Sequence, residues 1–327
     1  MSLQETPRPS SRGSRYLLQL SVQPTTVKDY HKAVRRFLRY LQDAGEDYVD
    51  NYEDLDNLLT DYVHYLFEQG EGRGKTQAGH AVYGVSLLLP AAKPYLLTCK
   101  TALRGWNKAR PPQPHPPMTW ELAVAVAMQL ALWQKPRAAL ATLLAFDCLL
   151  RLGELMALRP CDVADGADPR LGAEFTGVAL YLKQTKTGPH QWVEVQDPDV
   201  KLMLRKAVSQ TNPTARLFPF PPRSFRRFFQ EACKSLKLWA NYVPHSLRHG
   251  GATRAHMRGV PIEDIMLRGR WLSNDSARRY IQMGRALLLS LRVPREVDQA
   301  GRVWARSLSS SLTLAQRHAV RAGPGLA

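Results

Sequence analysis

Six side chains beyond residue 150 are of types that can hold and cut a phosphodiester: Arg151, Lys186, His245, Arg248, Trp271 and Tyr280. Two guanidiniums can clamp the nonbridging oxygens of a phosphate through paired N–H donors. A lysine or a histidine can move a proton, and a tyrosine hydroxyl can attack phosphorus. Each residue taken singly also has an ordinary explanation. Arg151, in CLLRLGELMAL, follows an apolar run and reads equally as a solvated helix end favoured by the dipole. Glu154, three residues on, either orients Arg151 or opens the next helix. Lys183 and Lys186 lie in KQTKTGPH, where a loop lysine is ordinarily solvated; the alternative is a mobile cation reaching into a groove of DNA. His245 and Arg248 are three apart in PHSLRHGGAT and so share a helix face, with His249 beside them. Glycine costs a helix roughly 1 kcal/mol per residue, so Gly250-Gly251 predicts close approach of another backbone or a ligand. Trp271 and Tyr280 stand nine residues apart in GRWLSNDSARRYIQ. A helical tyrosine is more often half-buried packing, but the flanking Arg278 and Arg279 predict an exposed hydroxyl facing phosphate. Arg270, directly before Trp271, reads as a DNA-backbone contact or a solvated helix end.

These residues need a scaffold, and the pattern predicts a mainly α protein with a small β-hairpin. Residues 1–20, rich in Ser, Arg and Pro, read as disordered. A helical domain over 21–110 carries about four helices: one from Thr25 that stops at Gly45, then Leu55–Phe67, Gln77–Leu89 and Lys93–Lys108. Five prolines within residues 111–117 forbid a helix or a central strand, so 111–118 is a semi-rigid linker. The domain at 119–290 opens with helices at Trp120–Trp133 and Pro136–Leu150. Thr176–Leu182 and Gln191–Gln196 read as strands joined by a polar loop that turns at Gly188-Pro189. Helices resume at Asp199–Ser209 and Ser224–Leu236, then from Pro244 to Gly259 and from Pro261 to Gly269. A last clear helix, capped by Ser273 or Asn274, carries Tyr280. Ile281–Val293 is either a helix docked on a neighbouring protomer or one packed on its own domain, and 291–327 is a tail.

The chain holds 45 Lys and Arg against 28 Asp and Glu, a formal net charge of +17. The excess is uneven: residues 216–327 carry 20 basic and 6 acidic side chains, a net +14. Such a surplus among periodic apolar residues predicts a basic face on a folded domain, with phosphate as its ligand. An apolar content of 44% excludes a wholly disordered chain. The four scattered cysteines (Cys99, Cys148, Cys161 and Cys233) form no CxxC pair, which argues against a zinc site and a disulfide scaffold. No apolar run reaches the roughly 18 residues of a membrane span, and the N-terminus lacks a secretory apolar core. An intracellular location with DNA is expected, in the nucleus of a eukaryote or the nucleoid or cytoplasm of a bacterium.

Taken in order, RLGEL, a hairpin lysine, HxxRH with GGAT, and a Trp nine residues before a Tyr resemble the tyrosine recombinase (phage integrase) family over most of residues 119–285. The helical half before the linker is similar, more weakly, to that family's SAM-like core-binding domain. The GRW form is similar to members that place an indole where many have histidine, eukaryotic mobile-element branches among them. The resemblance implies a breaking-rejoining domain acting on duplex DNA. Tyr280 would attack the scissile phosphorus, giving a 3′-phosphotyrosyl link and a free 5′-hydroxyl. Arg151 and Arg248 would clamp the nonbridging oxygens, and Trp271 would donate its indole N–H to one of them. Lys186 would protonate the leaving 5′-oxygen in preference to Lys183, because Thr-Lys-Thr-Gly is the closer match. His245 would assist proton transfer from Tyr280, with Glu154 and His249 in support. Lys183, Arg270, Arg278 and Arg279 would contact DNA. The resemblance implies no metal or other cofactor and no membrane; its partners are duplex DNA and further copies in a homo-tetramer on two DNA sites. Two other readings stand beside it: a type IB topoisomerase-like nick-and-reseal activity, and a catalytically decayed DNA-binding protein. The complete set of six residues argues against decay.

Overall fold

Prolines and capping side chains decide where most of the helices begin. A computed structural model describes residues 21–321 apart from 47, 48, 50, 112–114, 167, 173 and 240. The segment expected to be disordered (1–20), the middle of the linker and residues 322–327 lie outside the described residues. The chain divides into two compact units, Met1–Gln113 and Pro114–Ala327.

In the first unit α1 (Pro24–Asp43) starts on a proline, which lacks the N–H that a first helical residue leaves unbonded anyway. Asn51 caps α2 (Tyr52–Gln69), accepting from the backbone N–H of Glu53 at 2.9 Å and Asp54 at 3.0 Å. That cap starts the helix three residues earlier than apolar spacing alone indicates. The remaining helices are α3 (Lys75–Leu88) and α4 (Thr98–Ala109). The last begins five residues later than expected because Pro90–Ala92 forms a separate tight turn. Phe37, Leu59, Tyr62, Val82, Leu103 and Trp106 share one core. The α1–α3 crossing needs a glycine: a Cβ on Gly84 would sit 2.9 Å from Val34 Cγ2. Buried Asp56 accepts from the N–H groups of Thr98 at 2.8 Å and Cys99 at 2.9 Å, capping α4 from a distant helix.

The second unit is built around α5 (Trp120–Leu132), which is apolar on nearly every side and therefore central. Around it lie α6 (Pro136–Asp147), the short α7 (Leu152–Ala157), α8 (Pro198–Ser209), α9 (Pro222–Ser235) and α10 (Pro244–Met257). Between α7 and α8 the chain forms an antiparallel sheet of β1 (Val163–Asp165), β2 (Val178–Thr185) and β3 (Gly188–Val195). Val163 pairs with Leu180, and Val178 with Val195, so Val178, Leu180, Leu182, Val193 and Val195 all face the core.

The sheet differs from the sequence expectation in two ways. β1 has only three residues, too few for an alternation to register. The hairpin arms also run on to Thr185↔Gly188, leaving a turn of only Lys186 and Thr187. Pro189 lies within β3 rather than at a turn, which an edge strand tolerates because its N–H need not pair.

After α10 come α11 (Ile262–Gly269), α12 (Asn274–Arg278), α13 (Met283–Ser290), α14 (Arg295–Ala305) and α15 (Leu308–Arg321). The expected tail from 291 is thus corrected: it holds two helices that pack on α5. Leu308 and Leu312 join the main core, and Gly301 lies so close to α5 that a Cβ would strike the carbonyl of Glu121. Within Ile281–Val293, α13 packs against α10 of the same chain. Leu287, Leu288 and Leu291 remain exposed.

Candidate active site

Three elements of the second unit converge: the α6–α7 junction, α10, and the stretch from the end of α11 to Tyr280. At the junction Leu149 takes a left-handed φ of 50° and turns the chain, so Arg151 becomes the N-cap of α7. Glu154 closes the cap, accepting from the Arg151 backbone N–H at 2.8 Å and from its Nη1 at 2.7 Å. Glu154 thus both closes the start of α7 and pairs with the Arg151 side chain. Arg151 stands at the start of a helix rather than at the end of one.

On α10, His245, Arg248 and His249 follow a first-turn Pro244. Gly250 and Gly251 do answer to close approach, but the approaching atoms are the protein's own: a Cβ on either would collide with the carbonyl of Met118 or Phe146. The glycine pair is core packing, and it draws α10 onto the junction that carries Arg151.

Arg248 is fully buried. Its two terminal nitrogens donate to the carbonyls of Leu149 and Gly269, and its guanidinium lies 4.4 Å from the Trp271 ring and 5.3 Å from the Tyr280 ring. Burial first, then the nearby charges of Arg151 and Arg270, hold the Arg248 guanidinium below its usual range. Three buried donors at this place have no acceptor among the described residues, Arg248 Nε, Arg270 Nε and Trp271 Nε1. The indole can sit there only because Gly269 has no side chain to strike it.

Tyr280 is not helical. Helix α12, capped by Ser273, ends at Arg278, and Tyr280 occupies the turn after it. Its ring stacks on His249 at 4.4 Å, meets His245 edge-on at 5.3 Å, and tilts against Trp271 at 4.7 Å. Thr253 pins the turn from α10, donating to the Tyr280 carbonyl at 3.2 Å and accepting from the Gln282 N–H at 3.1 Å. Gln282 Nε2 also lies 3.0 Å from His249 Nδ1, within hydrogen-bond reach. Burial, with Arg248, His115 and Arg151 around it, lowers the His245 pKa to about 4. Burial and His245 lower that of His249 to about 3. Both rings are therefore neutral near pH 7.

Lys186 is exposed at the hairpin tip and has no ion-pair or hydrogen-bond partner among the described residues. Its neighbour Thr187 donates to the Arg270 carbonyl at 3.2 Å, which ties the tip to this site. Lys183 instead pairs with Asp162 at 2.8 Å. Arg278 and Arg279 are exposed.

Arg270 is the correction. Expected at the surface, it is buried, with left-handed φ 56° and ψ 49°, and its guanidinium turns inward to Glu154. Charge alone assigns an arginine to the surface, and its partner lies 116 residues away. His115, Thr253 and Gln282 were also missed. His115, 5.6 Å from the His245 ring, sits in a proline-rich stretch that gives no sign of it. Among the described residues, no three or more His, Cys, Asp or Glu side chains are grouped to hold a metal. No described helix is long and apolar enough to cross a membrane.

No family model matches the chain, and no curated protein does. Solved structures do. A lambda integrase (75–356) dimer bound to a COC′ core site matches with TM-score 0.57 and 19% identity, covering 82% of this chain and 92% of that one. A lambda integrase tetramer bound to a Holliday junction gives 0.57 and 17%, covering 82% and 74%. The Tn1549 transposon integrase in complex with circular intermediate DNA gives 0.54 and 14%, covering 80% and 98%. The fold of this chain, mainly helical with a small three-stranded sheet, is the fold of those integrases.

Proposed function

We propose that this chain is a tyrosine recombinase, which cuts and rejoins duplex DNA through a 3′-phosphotyrosyl intermediate. One observation carries the reading: the buried, unpaired N–H donors of Arg248 and Trp271, side by side under Tyr280. An unmet buried donor costs about 1–3 kcal/mol, and the oxygens of a phosphate would satisfy both. Arg151, one-fifth exposed and aimed by Glu154, supplies the second cation of the clamp.

The Tyr280 oxygen attacks phosphorus, the P–O5′ bond breaks, and the 5′-oxygen leaves with a proton from Lys186. Lys186 is preferred to Lys183 because it is unpaired and sits on a tip tied to the site. The neutral His245 takes the phenol proton, whose ordinary pKa of about 10 disfavours a free phenolate. To attack, the phenol must leave the face of Arg248, and that departure opens the orphan donors of Arg248 and Trp271 to the phosphate. Rejoining reverses these steps on a new 5′-hydroxyl, with the bond energy held in the phosphotyrosyl link. Arg278 and Arg279 reach the DNA backbone, and four copies assemble on two duplex sites, as the tetramer of the lambda integrase neighbour suggests.

The test is to trap the complex on a library of nicked duplexes and sequence what stays bound after denaturation. The wild-type chain should form a covalent adduct; Tyr280→Phe should bind DNA and form none. An adduct formed by the Phe variant would remove Tyr280 from its role.

A further inference from the structure

Arg270 is the least ordinary residue in the second unit. It has a side chain in a backbone conformation that glycine adopts freely and other residues do not. It is an arginine at 6% exposure, and buried arginines are rare unless paired. Its Nη2 is shared between Glu154 Oε2 and the Leu149 carbonyl, both at 2.8 Å, and its Nη1 donates to the Arg268 carbonyl at 2.8 Å. The same Glu154 holds both the backbone and the guanidinium of Arg151. The same Leu149 carbonyl accepts from Arg248. The Arg270 carbonyl accepts from Thr187, beside Lys186, and the next residue is Trp271.

From this we infer that Arg270 is the positioning residue of the site, one that touches no DNA and sets Arg151 through Glu154 and the lysine hairpin through its own carbonyl. The inference rests on the recombinase reading above. A guanidinium is needed because one planar fork must meet a carboxylate and two carbonyls at once, which an ammonium cannot do. The left-handed backbone is needed because it turns the side chain inward while the following indole covers Arg248.

A structural role and a positioning role separate on chemically altered DNA. A methylphosphonate at the scissile position replaces one charged nonbridging oxygen with a methyl group, so the reaction no longer depends on a fully aligned arginine clamp. Arg270→Gly keeps the backbone conformation and deletes only the fork. On an ordinary phosphodiester, Arg270→Gly should slow adduct formation by about 10²–10³-fold, the size of a lost charge-stabilising donor. On the methylphosphonate its rate should come within about threefold of wild type. Arg270→Lys, which keeps a charge against Glu154 and protects the fold, should show the same substrate-selective loss to a smaller degree. An equal loss on both substrates, in either variant, would make Arg270 merely structural and overturn the inference. So would an Arg270→Gly rate within twofold of wild type on the phosphodiester. A wild-type chain that forms no adduct on either substrate would overturn the recombinase reading itself.

Discussion

Each unit buries a carboxylate, and the two are held in opposite styles. Asp56 in the first unit accepts two backbone N–H groups at the start of α4 and pairs with no cation among the described residues. Glu154 in the second accepts one backbone N–H and two guanidiniums. Burial alone would raise both carboxyls. Asp56 is held below the ordinary range by the N–H groups of Cys99 and Thr98, and Glu154 by Arg270 first and then Arg151. Backbone donors suffice to bury a carboxylate. Two arginines at Glu154 exceed that need, and they make sense as a device for aiming cations at one place.

Removing each carboxylate is the most severe way to break the comparison. Glu154→Ala leaves two guanidiniums without their partner, one of them buried, and should destabilise the second unit by about 3–5 kcal/mol, abolishing adduct formation with it. Asp56→Ala strands two N–H groups and should cost about 1–3 kcal/mol, while the folded protein keeps its adduct rate. Urea unfolding of the full chain measures both; equal costs would erase the distinction.

Acid should separate the units next. His245 and His249 are neutral when folded, with pKa values of about 4 and about 3, and take up protons near pH 6.5 when unfolded. The unfolded state then binds more protons, so the second unit loses stability as pH falls from about 6.5 through those values. Asp56 and Glu154 act only lower, where pH drops below about 4 and their depressed carboxyls protonate. Melting followed from pH 7 to 4 should show an early loss that His249→Gln reduces; a loss confined below pH 4 would count against neutral imidazoles in the fold.

The smallest effect is expected at Lys183. Lys183 is more than half exposed, and its buried partner Asp162 keeps the Arg159 N–H at 3.0 Å, so Lys183→Met should change stability by about 1 kcal/mol. Adduct formation should stay within about twofold of wild type, against a loss of about 10²-fold or more for Lys186→Met. Reversed sensitivities would move the general acid to Lys183.

Much of this was legible from residue order. Spacing placed Arg248, His245 and His249 on one helix and predicted most of the helices, because apolar periodicity and proline starts are local signals. What escaped was non-local. The Gly250-Gly251 pair announced close contact but not with what, since the Met118 and Phe146 carbonyls come from other elements. The C-terminal helices were hidden by their charge: Arg295, Arg302 and Arg306 mask the apolar side on which Val297, Trp304 and Leu308 meet the core. Arg270 escaped for the same reason, a charged residue whose partner is remote in the chain.

Those returning helices have one more consequence. Tyr280 lies ten residues after Arg270 and fifteen before Arg295, and both ends of that span are fixed to the same body. A free tail could carry its hydroxyl to any neighbour. Under the recombinase reading, a span pinned at both ends makes the phenol a tethered reactant, offered to its own site at a local concentration that no dilution of the protein lowers.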